Sequence, residues 1–244
     1  MKRTHLMVIA AILQSAFVVL PVQAGWLDDL NSAVETLTAP GTGLDDATIA
    51  RGLKEALATG TTRAVASVSR QDGYFGNQMI KILLPEKIRS TAELLSRFGF
   101  RQEVDDFVLS MNRAAEQAAP KATEYFVGAL KAMTFDDARR ILKGDATSAT
   151  EYFREKTGDK IYAAFKPVVV ANMKEAGVSR YYGQMKEKFE AIPFAGAASS
   201  VDLDHYVTTR AVDGLFTMLG EEERRIRTDP AARSTELLKK VFGK

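Results

Sequence analysis

The side chains able to do chemistry in this chain are carboxylates, arginines and tyrosines, because thiolates and histidine clusters are missing. There is no cysteine and there are two histidines, His5 and His205, which excludes thiolate catalysis, thiolate-held metals and disulfides. A three-histidine zinc site, the Glu-x-x-His pairs of di-iron bundles and a His-Glu-x-x-His helix are excluded as well. No Gly-x-Ser-x-Gly elbow, no Gly-x-x-x-x-Gly-Lys-Ser/Thr loop and no Gly-x-Gly-x-x-Gly turn occurs. Asp72 to Asn77 carries oxygens and glycines but lacks the spaced carboxylates of a calcium loop, so it reads as a tight turn. The residues therefore imply neither a metal nor a cofactor.

Two polar groups remain as candidates. At about 100° per residue, Glu222 falls on the stripe of Leu215, Met218, Leu219 and Ile226, with Glu223 towards its edge. A buried carboxylate needs a cation or hydrogen-bond donors, and Arg225, Arg227 and Arg233 are near in sequence. Such a network either clamps the C-terminal helices or offers a carboxylate to a ligand. The second group is Asn112, Arg113 and Glu116. Asn112 flanks an apolar stripe, while Arg113 and Glu116 lie beyond it, three residues apart, where a surface pair contributes only a few tenths of a kcal/mol. Alanines at 114, 115, 118 and 119 allow close contact all round, so if this helix is central Arg113 and Glu116 are buried and need partners. His205, between Asp204 and Tyr206, reads as a partly exposed surface residue.

Aromatic residues at helical spacing form a third feature: Tyr152, Phe153, Tyr162, Tyr181 and Tyr206. Their first reading is core packing. The alternative is the wall of an apolar-ligand cavity, since a tyrosine ring packs while its hydroxyl seeks a partner.

The elements that must position these residues read as all-α. Lys2 and Arg3, the apolar run Leu6 to Leu20 and the small-residue site Val22-Gln23-Ala24 have the order of a cleaved secretory signal over 1–24. Residues 25–43 form an amphipathic helix with Trp26, Leu27, Leu30, Val34 and Leu37, then a Pro/Gly linker; residues 44–244 read as one helical domain. Within it, helices are expected from Asp45 or Asp46 to Ser69, from Pro85 to Gly99, and from Glu103 to Met133 with a kink or break at Pro120. Ile80, Ile82 and Leu84 alternate with period two, which predicts a short extended lead-in to Pro85. Thr134-Phe135-Asp136-Asp137 resembles a capping box. Further helices are expected over 148–156, 160–176 and 179–191. After a loop at Phe194 to Ser200, one runs from Asp202 to Arg227 and one follows Asp229-Pro230. This gives a compact, irregular bundle of about eight to ten helices.

The leader holds two of the 33 Lys and Arg and none of the 31 Asp and Glu. The rest of the chain is thus balanced at 31 against 31, despite a pI of 8.7 for the whole. No charge asymmetry points to nucleic acid, and no later stretch is apolar enough to span a membrane.

A family likeness runs through these stretches. Gly52-Leu53-Lys54-Glu55-Ala56-Leu57, Asp72-Gly73-Tyr74, Ile82-Leu83-Leu84-Pro85, Met111-Asn112-Arg113-Ala114-Ala115-Glu116 and Met133-Thr134-Phe135-Asp136-Asp137-Ala138 come in order. Ala149-Thr150-Glu151-Tyr152-Phe153, Asp213-Gly214-Leu215-Phe216, Glu222-Glu223-Arg224-Arg225-Ile226-Arg227 and Asp229-Pro230-Ala231-Ala232-Arg233 complete the series. Over Trp26 to Gly243 the chain resembles the bacterial family known as domain of unknown function 4197. The resemblance implies an exported helical protein and brings no activity with it. Two readings follow: a periplasmic protein that binds an apolar or amphiphilic ligand or an envelope partner, or a hydrolase built on carboxylate and arginine without metal or nucleotide.

Overall fold

The computed structural model describes residues 46–175, 177–191 and 201–232. The leader, the helix expected over 25–37, the Pro/Gly linker, the loop at 194–200, Arg233 and the last helix lie outside the described residues.

The described residues are all-α. The helices are α1 (Asp46–Ser69), α2 (Glu86–Arg97), α3 (Arg101–Ala118), α4 (Ala122–Ala132), α5 (Phe135–Lys143), α6 (Ser148–Glu175), α7 (Val178–Glu190) and α8 (Leu203–Thr228). Pro120 acts as expected: a 3-10 turn, Ala119–Lys121, separates α3 from α4. The capping box forms, with Asp137 N–H donating to Thr134 Oγ1 at 3.1 Å and Thr134 N–H to the Asp137 carboxylate at 3.0 Å. No described helix is long and apolar enough to cross a membrane.

One expected break is absent. The helices read over 148–156 and 160–176 are the single helix α6, with Pro167 inside it. Gly158 suggests a stop, yet Thr157 is buried and donates to Phe153 C=O at 2.6 Å, keeping its polar group inside the helix. Packing then outweighs the roughly 1 kcal/mol propensity cost of glycine. The residues α6 buries recur every fourth position through Phe153, Thr157, Ile161, Phe165, Val169 and Met173. Four residues exceed one turn by about 40°, so that stripe winds roughly 200° round the helix. Successive turns of α6 therefore meet different neighbours, and α6 packs on α3, α4, α5, α7 and α8.

Helix α3 is central, in contact with α1, α2, α6, α7 and α8. Ala114, Ala115, Ala118, Ala119 and Ala122 are all fully buried, which lets backbones approach on every side. Helix α8 lies against α1, α3 and α6. At Gly60 in the middle of α1, an added Cβ would lie 3.4 Å from Ile226 Cδ1, an ordinary contact with α8.

Candidate functional site

The central position of α3 decides the first polar group. Glu116 is 3% exposed, and its Oε1 accepts from the backbone N–H of Tyr74 at 3.1 Å and of Phe75 at 3.2 Å. Its Oε2 receives Arg113 Nη1 at 2.6 Å, and Arg113 Nη2 donates onward to Asp72 Oδ1 at 2.8 Å. The pair is therefore part of a clamp on the turn 72–75 and not a surface pair. Burial works against the Arg113 charge, but the hydrogen bonds to Glu116 and Asp72 outweigh it and hold its pKa above the ordinary value.

Asn112, fully buried one residue earlier, does a related task. Its Oδ1 accepts from Ile82 N–H at 2.8 Å, while its Nδ2 donates to Ile82 C=O at 2.9 Å and to Val108 C=O at 2.8 Å. A lone extended segment has no sheet neighbour, and its buried peptide must still be paired. The Asn112 amide, a donor and an acceptor side by side, takes the place of the neighbouring strand. Residues 81–85 carry no regular secondary structure and follow a turn at 78–80, so Ile80 lies in the turn; Ile80 and Ile82 are both buried. Ile82 points inward and Leu83 outward.

Sequence reasoning missed Tyr74, the residue this turn delivers. It is fully buried and its hydroxyl donates to Ala211 C=O at 2.6 Å. Burial, then the nearby Glu116 charge, push its phenol far above the ordinary value, so it stays protonated. A Cβ on Gly214 would lie 2.6 Å from Tyr74 Cε1, which is why α8 carries a glycine there. Gly73 is constrained from the other side, since its Cβ would fall 2.5 Å from Val68 C=O. The mid-helix glycine was the available signal.

The second polar group forms, with a correction. Glu223 is the more buried carboxylate, its side chain 4% exposed against 14% for Glu222. Glu223 Oε1 accepts from Ala149 N–H at 2.9 Å, and Oε2 from Thr150 N–H and Thr150 Oγ1, both at 2.8 Å. Arg227 approaches Oε1 through Nε at 3.0 Å and Nη2 at 2.9 Å, with Nη2 also donating to Ile141 C=O at 2.8 Å. A carboxylate on the orphan N–H groups of a first helical turn both satisfies them and complements the helix dipole. The physical reason for the reversal is that Gly220, Glu223 and Arg227, at i, i+3 and i+7, face the start of α6. Thr147 and Thr150 lie 3.8 Å from where a Gly220 Cβ would be. Glu222 keeps one oxygen 3.6 Å from Arg225, and its buried Oε2 has no hydrogen-bond partner among the described residues.

Among the described residues the two groups share no hydrogen-bond partner, so Asn112, Arg113 and Glu116 form one assembly and Glu223 with Arg227 another. The aromatic residues are likewise spread out. Phe153 is fully buried in the core, edge-on to Phe126 at 5.2 Å between ring centroids. Tyr162 meets His205 Nδ1 at 2.8 Å on the surface, Tyr206 donates to Leu83 C=O at 2.8 Å, and Tyr181 lies under Arg180. Tyr152 donates to Ala129 C=O at 3.2 Å, and burial raises its phenol above the ordinary value. Beside it is an open cleft of about 220 Å³, lined by Asp137, Arg140, Ser148, Glu151 and Glu155 as well as Tyr152. Hydrogen bonds from Thr134 hold the Asp137 carboxyl below its ordinary value, and Arg140 closes on it.

A family model described as Protein of unknown function (DUF4197) matches residues 43–243. No curated protein and no solved structure matches the chain.

Proposed function

The chain belongs to this family, and on that premise we propose that it is an exported, non-catalytic protein whose helical frame serves to bind. Its counterpart is an apolar or amphiphilic ligand, or another component of the cell envelope. The observation that carries this reading is where the polar residues of the family blocks point. Glu116 and Glu223 each have both oxygens taken by backbone N–H groups, a hydroxyl or a guanidinium of the same chain. A general base must reach a substrate proton, and these carboxylates reach only their own fold. That weighs against the hydrolase reading.

The frame also presents apolar side chains outward. Met79, Leu83, Phe98 and Phe135 are about 60% exposed. Leu83 follows the very peptide that Asn112 holds, and its own carbonyl is held by Tyr206. Export is supported by the leader's charge, apolar run and cleavage site.

Site-specific photo-crosslinking in living cells tests the reading. A photoreactive residue at position 79, 83, 98 or 135 is expected to trap a discrete envelope component. Sequencing the N-terminus of the fractionated protein is expected to begin at Gly25. No adduct from any of the four positions, or a protein retained in the cytoplasm, would refute the proposal.

A further inference from the structure

Three of the four most exposed large apolar side chains bracket one helix. Met79 and Leu83 precede α2 and Phe98 caps its end, at 61%, 58% and 58% exposure. Between them α2 buries Ile88, Thr91, Ala92 and Leu95 against the body and turns Lys87, Arg89 and Arg97 to solvent, together with Glu86 and Glu93. Residues 77–98 carry four cations, Lys81, Lys87, Arg89 and Arg97, against Glu86 and Glu93, in a chain that is otherwise balanced. Of these cations only Arg89 has a carboxylate within ion-pair distance among the described residues, Glu86 at 3.8 Å. Lys81 instead covers the Phe75 ring at 4.0 Å. Arg210 stacks on Tyr206, whose hydroxyl holds Leu83, and so adds a further cation beside the same stretch.

We propose that this stretch, 77–98, docks on an anionic phospholipid bilayer. Helix α2 lies along the headgroup layer, and Met79, Leu83 and Phe98 enter it at the two ends. The inference rests on the binding reading above and names its counterpart. Charge complementarity selects that counterpart. Lysine is depleted from protein–protein interfaces, whereas separate apolar anchors with long cationic stems between them suit a fluid, negatively charged headgroup layer. Helix α2 is about 18 Å long, so its two sets of anchors are spaced across several lipids. The rest of the frame keeps the anchors out of the core, because Asn112 and Tyr206 hold the backbone on either side of the Ile82–Leu83 bond.

The test is vesicle flotation with protein purified from cells that express the whole chain. Phosphatidylcholine vesicles are compared with phosphatidylcholine–phosphatidylglycerol vesicles, at low and high salt. Binding is expected only to the anionic vesicles, weakened by salt. The combined change Met79→Ser, Leu83→Ser and Phe98→Ser is expected to lower partitioning by about tenfold or more. Lys81→Gln with Lys87→Gln and Arg97→Gln is expected to do the same and to flatten the salt dependence. Phe135→Ser, on another helix, is expected to change nothing. All these positions are exposed or on the surface, and an unchanged melting temperature confirms that each variant is folded. Equal binding to neutral vesicles, no binding, or indifference to both combined variants overturns the inference. If vesicles fail while a crosslinker at position 83 traps a protein in cells, the bilayer inference falls and the binding reading stands. If both fail, both fall.

Discussion

Glu116 and Glu223 are two solutions to one problem, and they differ in how the load is divided. Each is a glutamate buried on a long helix, each receives two consecutive backbone N–H groups, and each is held by one arginine from its own helix. In the first clamp a single oxygen takes both N–H groups and the other faces only Arg113. In the second, each oxygen takes one N–H, and Thr150 and Arg227 add to them. The first holds a turn, 72–75, so that Tyr74 can enter the core. The second holds the start of a helix, where the dipole already favours negative charge. These two carboxylates follow the geometry of orphan peptide groups, and their arginines follow the carboxylates.

Removing either carboxylate should have the largest effect. Glu116→Ala and Glu223→Ala each leave two N–H groups without an acceptor and take from a partly buried arginine the carboxylate on its own helix, which costs about 3–5 kcal/mol. Urea unfolding followed by circular dichroism measures it; a loss below about 1 kcal/mol in either would mean that solvent reaches the clamp. The amide variants then separate the two. Glu116→Gln can keep its carbonyl oxygen on Tyr74 and Phe75 and set its NH2 against Arg113, which is 26% exposed and can turn to Asp72. Glu223→Gln must point its NH2 at the N–H of either Ala149 or Thr150. The second should therefore be the more damaging, by about 1 kcal/mol. Equal losses would erase the distinction between the clamps.

Tyr74 gives the first clamp a pH signature. Its folded pKa is raised above the ordinary 10.0, so above pH 10 the unfolded chain releases a proton that the native state retains. Stability from this residue is complete below that pH and falls above it, by up to about 1.4 kcal/mol per pH unit. Tyr74→Phe should lose about 1 kcal/mol at neutral pH with the Ala211 hydrogen bond, and it should unfold less steeply with alkali than the parent. An unchanged alkaline slope would show that the hydroxyl does not report on the clamp.

How much of this is legible in the sequence varies with the range of the interaction. Pro120, the Thr134 capping box and the Asp202 cap act within a few residues, and they lie where pattern and turn chemistry place them. The two polar blocks are legible as blocks, because arginine and glutamate amid small and apolar residues need partners. Their partners are not, since Glu116 reaches 41 and 42 residues along the chain and Glu223 reaches 73 and 74. Helix α6 misleads because its buried face winds, so one helix reads as two, over 148–156 and 160–176. One glycine carries a long-range signal: Gly214 marks Tyr74, whose ring leaves no room for a Cβ there.

Glu222 is the smallest and sharpest case. One stripe drawn through Leu215 and Ile226 puts it inward and Glu223 at the edge, but α8 has three packed neighbours and therefore a broad buried face. At that width, helical angle alone cannot rank adjacent residues, and the contact with α6 selects Glu223. Glu222 is left with a buried oxygen that lacks a partner among the described residues and a second one 3.6 Å from Arg225. Among the described residues nothing uses its charge as a clamp, and an amide costs less to bury than a carboxylate oxygen without a donor, so Glu222→Gln should cost no stability. The direct comparison is with Glu223→Gln, one residue away, in the same urea titration. A loss as large as that of Glu223→Gln would mean that the Glu222 carboxylate has a partner of its own, and that α8 supports two clamps where the hydrogen bonds assign one.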